Sequence, residues 1–194
     1  MLLLQINSGD DTPRMQGRLN LNPLSHLDPF GIFMLIFAHI GWGKPVEINP
    51  RNFNRKISMQ AGEAIVAFAG PLMNFVLAFL FTIIWYSLNI FATGFAISAL
   101  GQFVVAAIEY TIIVNIGLGV FNLIPLPPLD GSKILKNILP YNARNWLEEH
   151  TQYFYILFLV IWFTNLSSYI ITPIISAIMH GLTFIVGGIF SIFL

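Results

Sequence analysis

The chain has 194 residues, of which 56% are hydrophobic and only 9% are charged, and its formal net charge at pH 7 is zero. Soluble domains usually carry about 25% charged residues, so too few polar side chains are available here to cover a globule in water. Disordered chains need high charge and low hydrophobicity, and nucleic-acid binders need a basic surface, so both classes are excluded. The absence of cysteine excludes disulfides, thiolate zinc sites and cysteine catalysis. The composition therefore predicts an integral membrane protein.

The chain begins with a polar, loop-like region over residues 1–29, which contains Asp10 and Asp28. The apolar stretch 30–42 follows and has only 13 residues. A helix of that length measures about 20 Å, which is too short to cross roughly 30 Å of hydrocarbon. We interpret it as a re-entrant or half-buried segment, or as a helix shortened against its neighbours. Asp28 before Pro29 is typical of a helix N-cap, and a metal pair formed by His26 and Asp28 is the alternative.

Longer apolar stretches follow, and each is long enough to cross a bilayer as a helix. The predicted spans cover residues 64–91, 103–124, 153–171 and 173–194. The last two are separated at Thr172-Pro173, because proline disfavours helical geometry in the residue before it. The predicted fold class is all-α, a polytopic helical membrane protein with about four full spans plus one short or re-entrant segment. We predict a single membrane-embedded domain over 1–194, with a polar region at 1–29, a core at 30–124 followed by the Asp-Gly pair 130–131, and C-terminal helices at 153–194.

The remaining charged residues are concentrated in the loops 43–63 and 130–150. Two predicted spans lie between these loops, so both loops face the same side of the membrane, while the intervening turn 92–99 has no charge. The positive-inside rule predicts that the side with the basic residues is cytoplasmic. We therefore expect a multi-pass protein of the cell membrane with both loops in the cytoplasm. Their basic residues include Lys44, Arg55, Lys56, Lys133 and Lys136.

A proline-rich segment with the sequence FNLIPLPPLDG occupies residues 121–131, at the end of a predicted span. Each proline removes a backbone donor and clashes one turn back, so a regular helix cannot continue through the segment. We expect an extended, rigid strut that ends at the turn dipeptide Asp130-Gly131. One interpretation is a helix end at which Asp130 caps a short helix over 132–139. The other is a functional carboxylate, because a carboxylate held rigidly at a membrane face suits a metal ion.

The segment from Asn122 to Gly131 closely resembles the second signature of the site-2 protease family of intramembrane zinc metalloproteases. Other segments resemble that family in the same order, and together they are similar to its compact bacterial branch from about residue 9 to residue 135. They are Gly9-Asp10-Asp11-Thr12, Gly17-Arg18-Leu19-Asn20-Leu21-Asn22-Pro23, His26-Leu27-Asp28-Pro29-Phe30-Gly31, Gly41-Trp42-Gly43-Lys44-Pro45-Val46 and Ala69-Gly70-Pro71-Leu72-Met73-Asn74.

The resemblance implies a zinc ion held by the two histidines of an HExxH motif and by the aspartate that matches Asp130. It also implies that Asn74 faces the active-site cleft and binds the substrate backbone, and that Asn122 has a similar role. An interhelical hydrogen bond is the alternative role for both asparagines. None of the four histidines belongs to an HExxH motif, so no catalytic residue is assigned and the zinc site is incomplete in this chain. We expect the motif to lie upstream of Met1, lost through a truncated gene or a start codon assigned too late; a true pseudoprotease is the alternative.

The function expected from the resemblance is an intramembrane zinc metalloprotease that cleaves transmembrane segments, inactive as an isolated chain without HExxH. The alternative is a non-catalytic pseudoprotease that binds membrane helices in the same cleft. A small transporter is a third class, for which Glu109, Asn115 and Asn74 offer few polar groups. The expected partners are membrane-protein substrate helices and the lipid bilayer, with no nucleic acid, and the oligomeric state is not predicted.

Overall fold

The computed structural model of the protein describes residues 9–20, 22–38, 41, 43–44, 49, 52–53, 58–164 and 166–193. Within these residues the secondary structure is helical with no strand, which confirms the predicted all-α class. The chain divides into two compact units, Met1–Val66 and Ala67–Leu194. Some predicted features fall outside the described residues: residues 1–8 of the polar region 1–29, residues 39, 40 and 42 of the apolar stretch 30–42, and the basic residues Arg55 and Lys56 of the loop 43–63.

The first unit contains the short helix α1 (Thr12–Met15), a 3-10 turn (Pro23–Ser25) and the helix α2 (Pro29–Ala38). The N–H of Gly31 donates to Asp28 Oδ1 over 2.8 Å, so Asp28 caps α2 as the sequence predicted. Helix α2 has ten residues and is therefore about 15 Å long. The described part of the first apolar stretch is therefore a short helix, and its re-entrant or half-buried placement stays a prediction.

The buried carboxylate of Asp10 joins two parts of the first unit. Its Oδ1 accepts hydrogen bonds from the backbone N–H of Thr12 at 3.1 Å, from the Thr12 hydroxyl, and from the side-chain amide of Asn52 at 3.2 Å. Its Oδ2 accepts from the backbone N–H of Asn49 at 2.8 Å. A fully buried carboxylate is stable only when donors surround it. Asp10 therefore fastens the start of the described chain to the loop that precedes the first long helix.

The long apolar helices α3 (Met59–Phe91), α5 (Ala99–Asn122) and α9 (Leu166–Phe190) dominate the rest of the chain. In the described part of the chain, three helical stretches are long and apolar enough to cross a membrane: Met59–Phe91, Ala99–Asn122 and Ser168–Phe190. The two that correspond to the predicted spans 64–91 and 103–124 confirm them, with slightly earlier starts. The remaining helices are the shorter α4 (Thr93–Ala96), α6 (Asp130–Ile138), α7 (Tyr141–Glu149) and α8 (Thr151–Phe163), with a 3-10 turn at Ser191–Phe193.

The core of the second unit forms where α3, α5 and α9 meet. Ile112, Ile116 and Val120 of α5 are buried together with Ala78 of α3, and partly buried side chains of α9 pack around them. Gly119 allows α5 to approach closely, because a β-carbon there would lie 2.8 Å from the ring of Phe75. The outward faces of the same helices carry exposed large apolar side chains, which suits contact with lipid tails. Examples are Phe103, Tyr110, Val114, Leu118 and Phe184.

The predicted break between the last two spans was placed at the wrong residue. Helix α9 runs without interruption through Thr172 and Pro173, and α8 ends earlier, at Phe163. Thr164 follows as the C-cap, and its hydroxyl donates to the carbonyl of Val160 over 2.6 Å. A proline inside a membrane helix is tolerated because neighbouring helices and local adjustments satisfy the freed backbone groups. The predicted span 153–171 is therefore a shorter helix of 13 residues followed by the start of α9.

Candidate functional site

The proline-rich segment after α5 folds as consecutive turns, which corrects the predicted extended strut. The N–H of Leu126 donates to the carbonyl of Ile124 at 2.8 Å, and the N–H of Leu129 donates to the carbonyl of Leu126 at 2.9 Å. The Pro127-Pro128 peptide bond is cis. Since proline has no N–H, the leucines supply the donors that hold the turns together. The segment thus folds back compactly instead of extending away from α5.

Asp130 is the first residue of α6, and Leu129 occupies the N-cap position without a side-chain cap. The interpretation of Asp130 as the cap of a helix over 132–139 is therefore wrong, because the helix already includes Asp130. A carboxylate in the first turn of a helix is favoured by the helix dipole. Gly131 also lies within α6, where a β-carbon would come within 2.3 Å of the carbonyl oxygen of Leu123. Glycine is thus needed here for close backbone packing and not for a turn conformation.

The two carboxylate oxygens of Asp130 have different surroundings. Lys133, one helical turn on, places its Nζ 3.2 Å from Oδ1. Oδ2 lies beside Gly70 of α3, where an added β-carbon would be 3.7 Å away. About a quarter of the Asp130 side chain is exposed, at 25%. The fold therefore brings the Gly70-Pro71 element and the Asp130-Gly131 element together, although 60 residues separate them in the sequence.

Asn74 lies one helical turn after Gly70 on α3 and therefore on the same face of that helix. Its side chain is half-buried and has no hydrogen-bond partner among the residues that the structure describes. Asn122 is the last residue of α5, and its amide donates to the carbonyl of Leu118 over 2.9 Å. That bond lies within α5, so the amide nitrogen of Asn122 is engaged in its own helix. The substrate-binding roles of Asn74 and Asn122 stay predictions.

Asp130 belongs to no group of three possible metal ligands in the described part of the chain. No group of three His, Asp or Glu side chains there could hold a metal ion. Two histidines have local contacts instead: His26 Nε2 lies 3.1 Å from the carbonyl of Asn20, and His150 Nδ1 lies 2.8 Å from that of Trp146. Zinc in proteins takes three or four such ligands. The described donors therefore do not fit a zinc ion by themselves, and Asp130 would supply one ligand.

Two features of this site were missed in the sequence. Lys133 was assigned only to a charged cytoplasmic loop, although its position three residues after Asp130 is typical of an ion pair within a helix. The approach of Gly70 to Asp130 had no local signal, because it depends on how α3 packs against the end of α5. The Gly-Pro-x-x-Asn resemblance marked the element without indicating what its glycine contacts.

The comparisons with known proteins agree with the resemblance. Residues 28–164 match the profile of Peptidase family M50. YwhC of Bacillus subtilis, which is named as a zinc metalloprotease, is 37% identical over 172 residues, covering 87% of this chain and 75% of that protein.

MJ0611 of Methanocaldococcus jannaschii is also named as a zinc metalloprotease. It is 39% identical over 71 residues, covering 37% of this chain and 32% of that protein. No solved structure matches the chain significantly. The family match covers more than half of the chain and includes the segment around Asp130. The chain therefore belongs to peptidase family M50, the site-2 protease family of zinc metalloproteases.

Proposed function

We propose that the protein is a zinc metalloprotease that cleaves transmembrane segments of other membrane proteins, with Asp130 as one ligand of the metal. Family membership supports the zinc metalloprotease assignment. Three membrane-length helices support a substrate that also lies in the bilayer. A site inside a bundle of such helices is reached most directly by another membrane segment.

The observation that carries the proposal is the placement of the Asp130 carboxylate. It follows the proline-rich turns at the end of a membrane-length helix, and its Oδ2 lies beside the small residue Gly70. A ligand carboxylate needs at least one oxygen that a metal ion can approach. Lys133 contacts the other oxygen, so it can hold the carboxylate in one orientation. Groups that hydrogen-bond to a metal ligand orient it in this way, and Lys133 would do so for Asp130.

Asn74 and Asn122 support a role in substrate binding. An unfolded membrane segment exposes backbone N–H and C=O groups that need partners. Asn74 shares a helix face with Gly70 and offers both a donor and an acceptor. The free oxygen of the Asn122 amide offers one acceptor. We propose that both hold the substrate backbone next to Asp130, on the side of the membrane that we expect to be cytoplasmic.

The proposal is tested best on the protein made from its own chromosomal locus, with a purification tag added after Leu194. This design retains any coding sequence that precedes the Met1 codon. The purified protein is reconstituted with a fluorescent single-span reporter, and cleavage is followed by gel and mass spectrometry. We expect cleavage by the unaltered protein and loss of cleavage in Asp130→Asn. Glu149→Gln, which removes an exposed carboxylate at the end of α7, should cleave as well as the unaltered protein.

A polypeptide limited to residues 1–194 has no HExxH motif, and we expect it to leave the reporter intact. Cleavage by this polypeptide would contradict the need for an HExxH motif, and cleavage that persists in Asp130→Asn would contradict the role assigned to Asp130. If the locus-derived protein binds the reporter stably and never cleaves it, the non-catalytic binding function replaces the proposed one.

A further inference from the structure

An apolar cavity lies next to the site, between the proline-rich turns and the last two helices. Phe121, Leu126 and Leu129 form one side, and Phe158, Ile161 and Ile171 form the other. The rings of Phe121 and Phe158 lie 6.0 Å apart between their centroids and join the two sides. Every residue that lines the cavity is apolar. A water molecule would find no polar partner there, so the cavity suits only an apolar group.

The size of the cavity limits what can enter. Its volume is about 100 Å³, whereas an apolar cavity of roughly 150 Å³ is known to hold benzene. A cavity of this size holds a branched aliphatic side chain such as that of leucine, isoleucine or valine. It is too small for an aromatic ring unless its walls move, and an alanine methyl group would leave most of it empty.

The position of the cavity connects it to Asp130. Leu129 lines the cavity and is also the N-cap residue of α6, directly before Asp130. The N–H of Leu129 bonds to the carbonyl of Leu126, another lining residue, so the cavity wall continues directly into the start of α6. A chain whose backbone passes beside Asp130 can therefore direct one side chain into the cavity.

We propose that this cavity is a specificity pocket that receives a branched aliphatic side chain of the substrate, close to the bond that is cleaved. The inference rests on the proposed function for the identity of the substrate. A lipid acyl chain is the competing occupant, but the cavity has room for only a few carbon atoms of such a chain. A pocket of side-chain size beside a proposed metal ligand favours the substrate.

The first test measures cleavage of reporters that differ at one position. The cleaved bond is located by mass spectrometry, and each of the two residues on either side is changed in turn to Leu, Val, Ala or Phe. At one of these positions we expect Leu and Val reporters to be cleaved at least about tenfold faster than Ala or Phe reporters, since a missing methylene in an apolar pocket costs about that factor. Equal rates at all positions would overturn the inference.

An enlarged pocket should reverse part of this selectivity. Phe158→Ala removes a ring from the cavity wall, so we expect the Phe reporter to be cleaved as fast as the Leu reporter or faster. The matched control is Phe103→Ala on the exposed face of α5, which should leave the order of rates unchanged. If Phe158→Ala protein fails to fold, Phe158→Leu is used instead, because it enlarges the pocket less. It should raise the cleavage rate of the Phe reporter relative to that of the Leu reporter.

A binding measurement separates this inference from the proposed function. Asp130→Asn protein is mixed with a reporter that carries photo-leucine at the selective position, and cross-links are mapped by mass spectrometry. If the unaltered protein has cleaved no reporter, the selective position is not known, and photo-leucine is placed in turn at each position of the reporter's transmembrane span. We expect adducts on lining residues such as Leu126 or Phe158. If the unaltered protein cleaves the reporter but the adducts lie only outside the cavity, the pocket is refuted and the protease function stands. If the adducts lie on the lining residues but the unaltered protein cleaves no reporter, the protease function is refuted and the pocket stands.

The lipid alternative is tested in the same preparation. A phospholipid with a photoreactive acyl chain is added, with and without excess Leu reporter. If the lipid labels the lining residues and excess Leu reporter does not reduce that labelling, the inference is overturned. Labelling that the Leu reporter prevents and the Ala reporter does not would support it.

Discussion

Gly131 occupies a position where the backbone leaves no room for a side chain. A β-carbon would lie 2.3 Å from the carbonyl oxygen of Leu123 and 2.5 Å from that of Ile124, and neither backbone atom can rotate away. We expect Gly131→Ala to lower the free energy of unfolding by about 1–3 kcal/mol or more, the usual cost of overpacking. The measurement is SDS-induced unfolding in mixed micelles. Gly181→Ala is the control, because nothing lies within 4 Å of its added carbon, and equal effects of the two changes would contradict the account.

Asp10 depends on two acceptor oxygens that each receive donors. An asparagine there would turn its NH2 group, which is a donor, toward at least one of these N–H or O–H donors and leave that donor without an acceptor. Asp10→Asn should therefore lower the free energy of unfolding by about 1–3 kcal/mol. We expect the amides of Thr12 and Asn49 to exchange hydrogen about five- to a hundredfold faster in that variant, as measured by hydrogen–deuterium exchange. Asp11→Asn is the matched control, since Asp11 is 61% exposed and pairs only loosely with Arg14 at 3.7 Å. Unchanged exchange in Asp10→Asn would show that the hydrogen bonds of Asp10 do not hold the segment.

At the same scale, the sequence analysis singled out Asp130-Gly131 but assigned the wrong reason to Gly131. An Asp-Gly dipeptide favours a turn on local grounds, whereas Gly131 is helical and packs against backbone of the preceding helix. That close approach depends on how the proline-rich segment folds into turns, and the backbone preferences of its individual residues did not predict those turns. The contact between Gly70 and Asp130 was beyond prediction for the same reason.

Helix α5 has one packed face and one lipid-facing face, and two isoleucines compare them directly. Ile116 is fully buried in the core, whereas Ile113 is 38% exposed. Lipid tails are as apolar as a protein core, so Ile116→Ala loses packing rather than a transfer free energy. We expect a loss of about 1–3 kcal/mol, below the roughly 2–5 kcal/mol of water-soluble cores. Ile113→Ala should change the SDS-unfolding free energy little, and a cost as large as that of Ile116→Ala would contradict the packing of α5.

Composition predicted the long helices well because length and apolarity alone define a membrane span. It placed the break before Pro173 incorrectly, because the steric preference against a helix before proline is weak enough to be overcome in membrane helices, where neighbouring helices and local adjustments satisfy the freed backbone groups. The break that forms instead follows Phe163, and no proline marks it. The proline-rich segment shows the converse: its prolines stop α5 as predicted, but tertiary packing folds the chain into turns.

The whole molecule is expected to place the loops 43–63 and 130–150 in the cytoplasm and the turn after α3 on the opposite side. Because the chain has no cysteine, single cysteines report topology without background. We expect a membrane-impermeant maleimide to label Thr93→Cys in intact cells, and to label Asn142→Cys only after the membrane is opened. Both positions are exposed, so access alone decides the result. Labelling of Asn142→Cys in intact cells would reverse the proposed orientation.

The central claim is that Asp130 is a ligand of a zinc ion in an intramembrane metalloprotease. The most direct measurement is the zinc content, by inductively coupled plasma mass spectrometry, of the tagged protein purified from its own membranes without chelators. We predict stoichiometric zinc in the unaltered protein and in Glu149→Gln, and loss of most of it in Asp130→Asn with the protein still folded. Zinc that is absent from the unaltered protein, or that is retained in full by folded Asp130→Asn, would contradict the account.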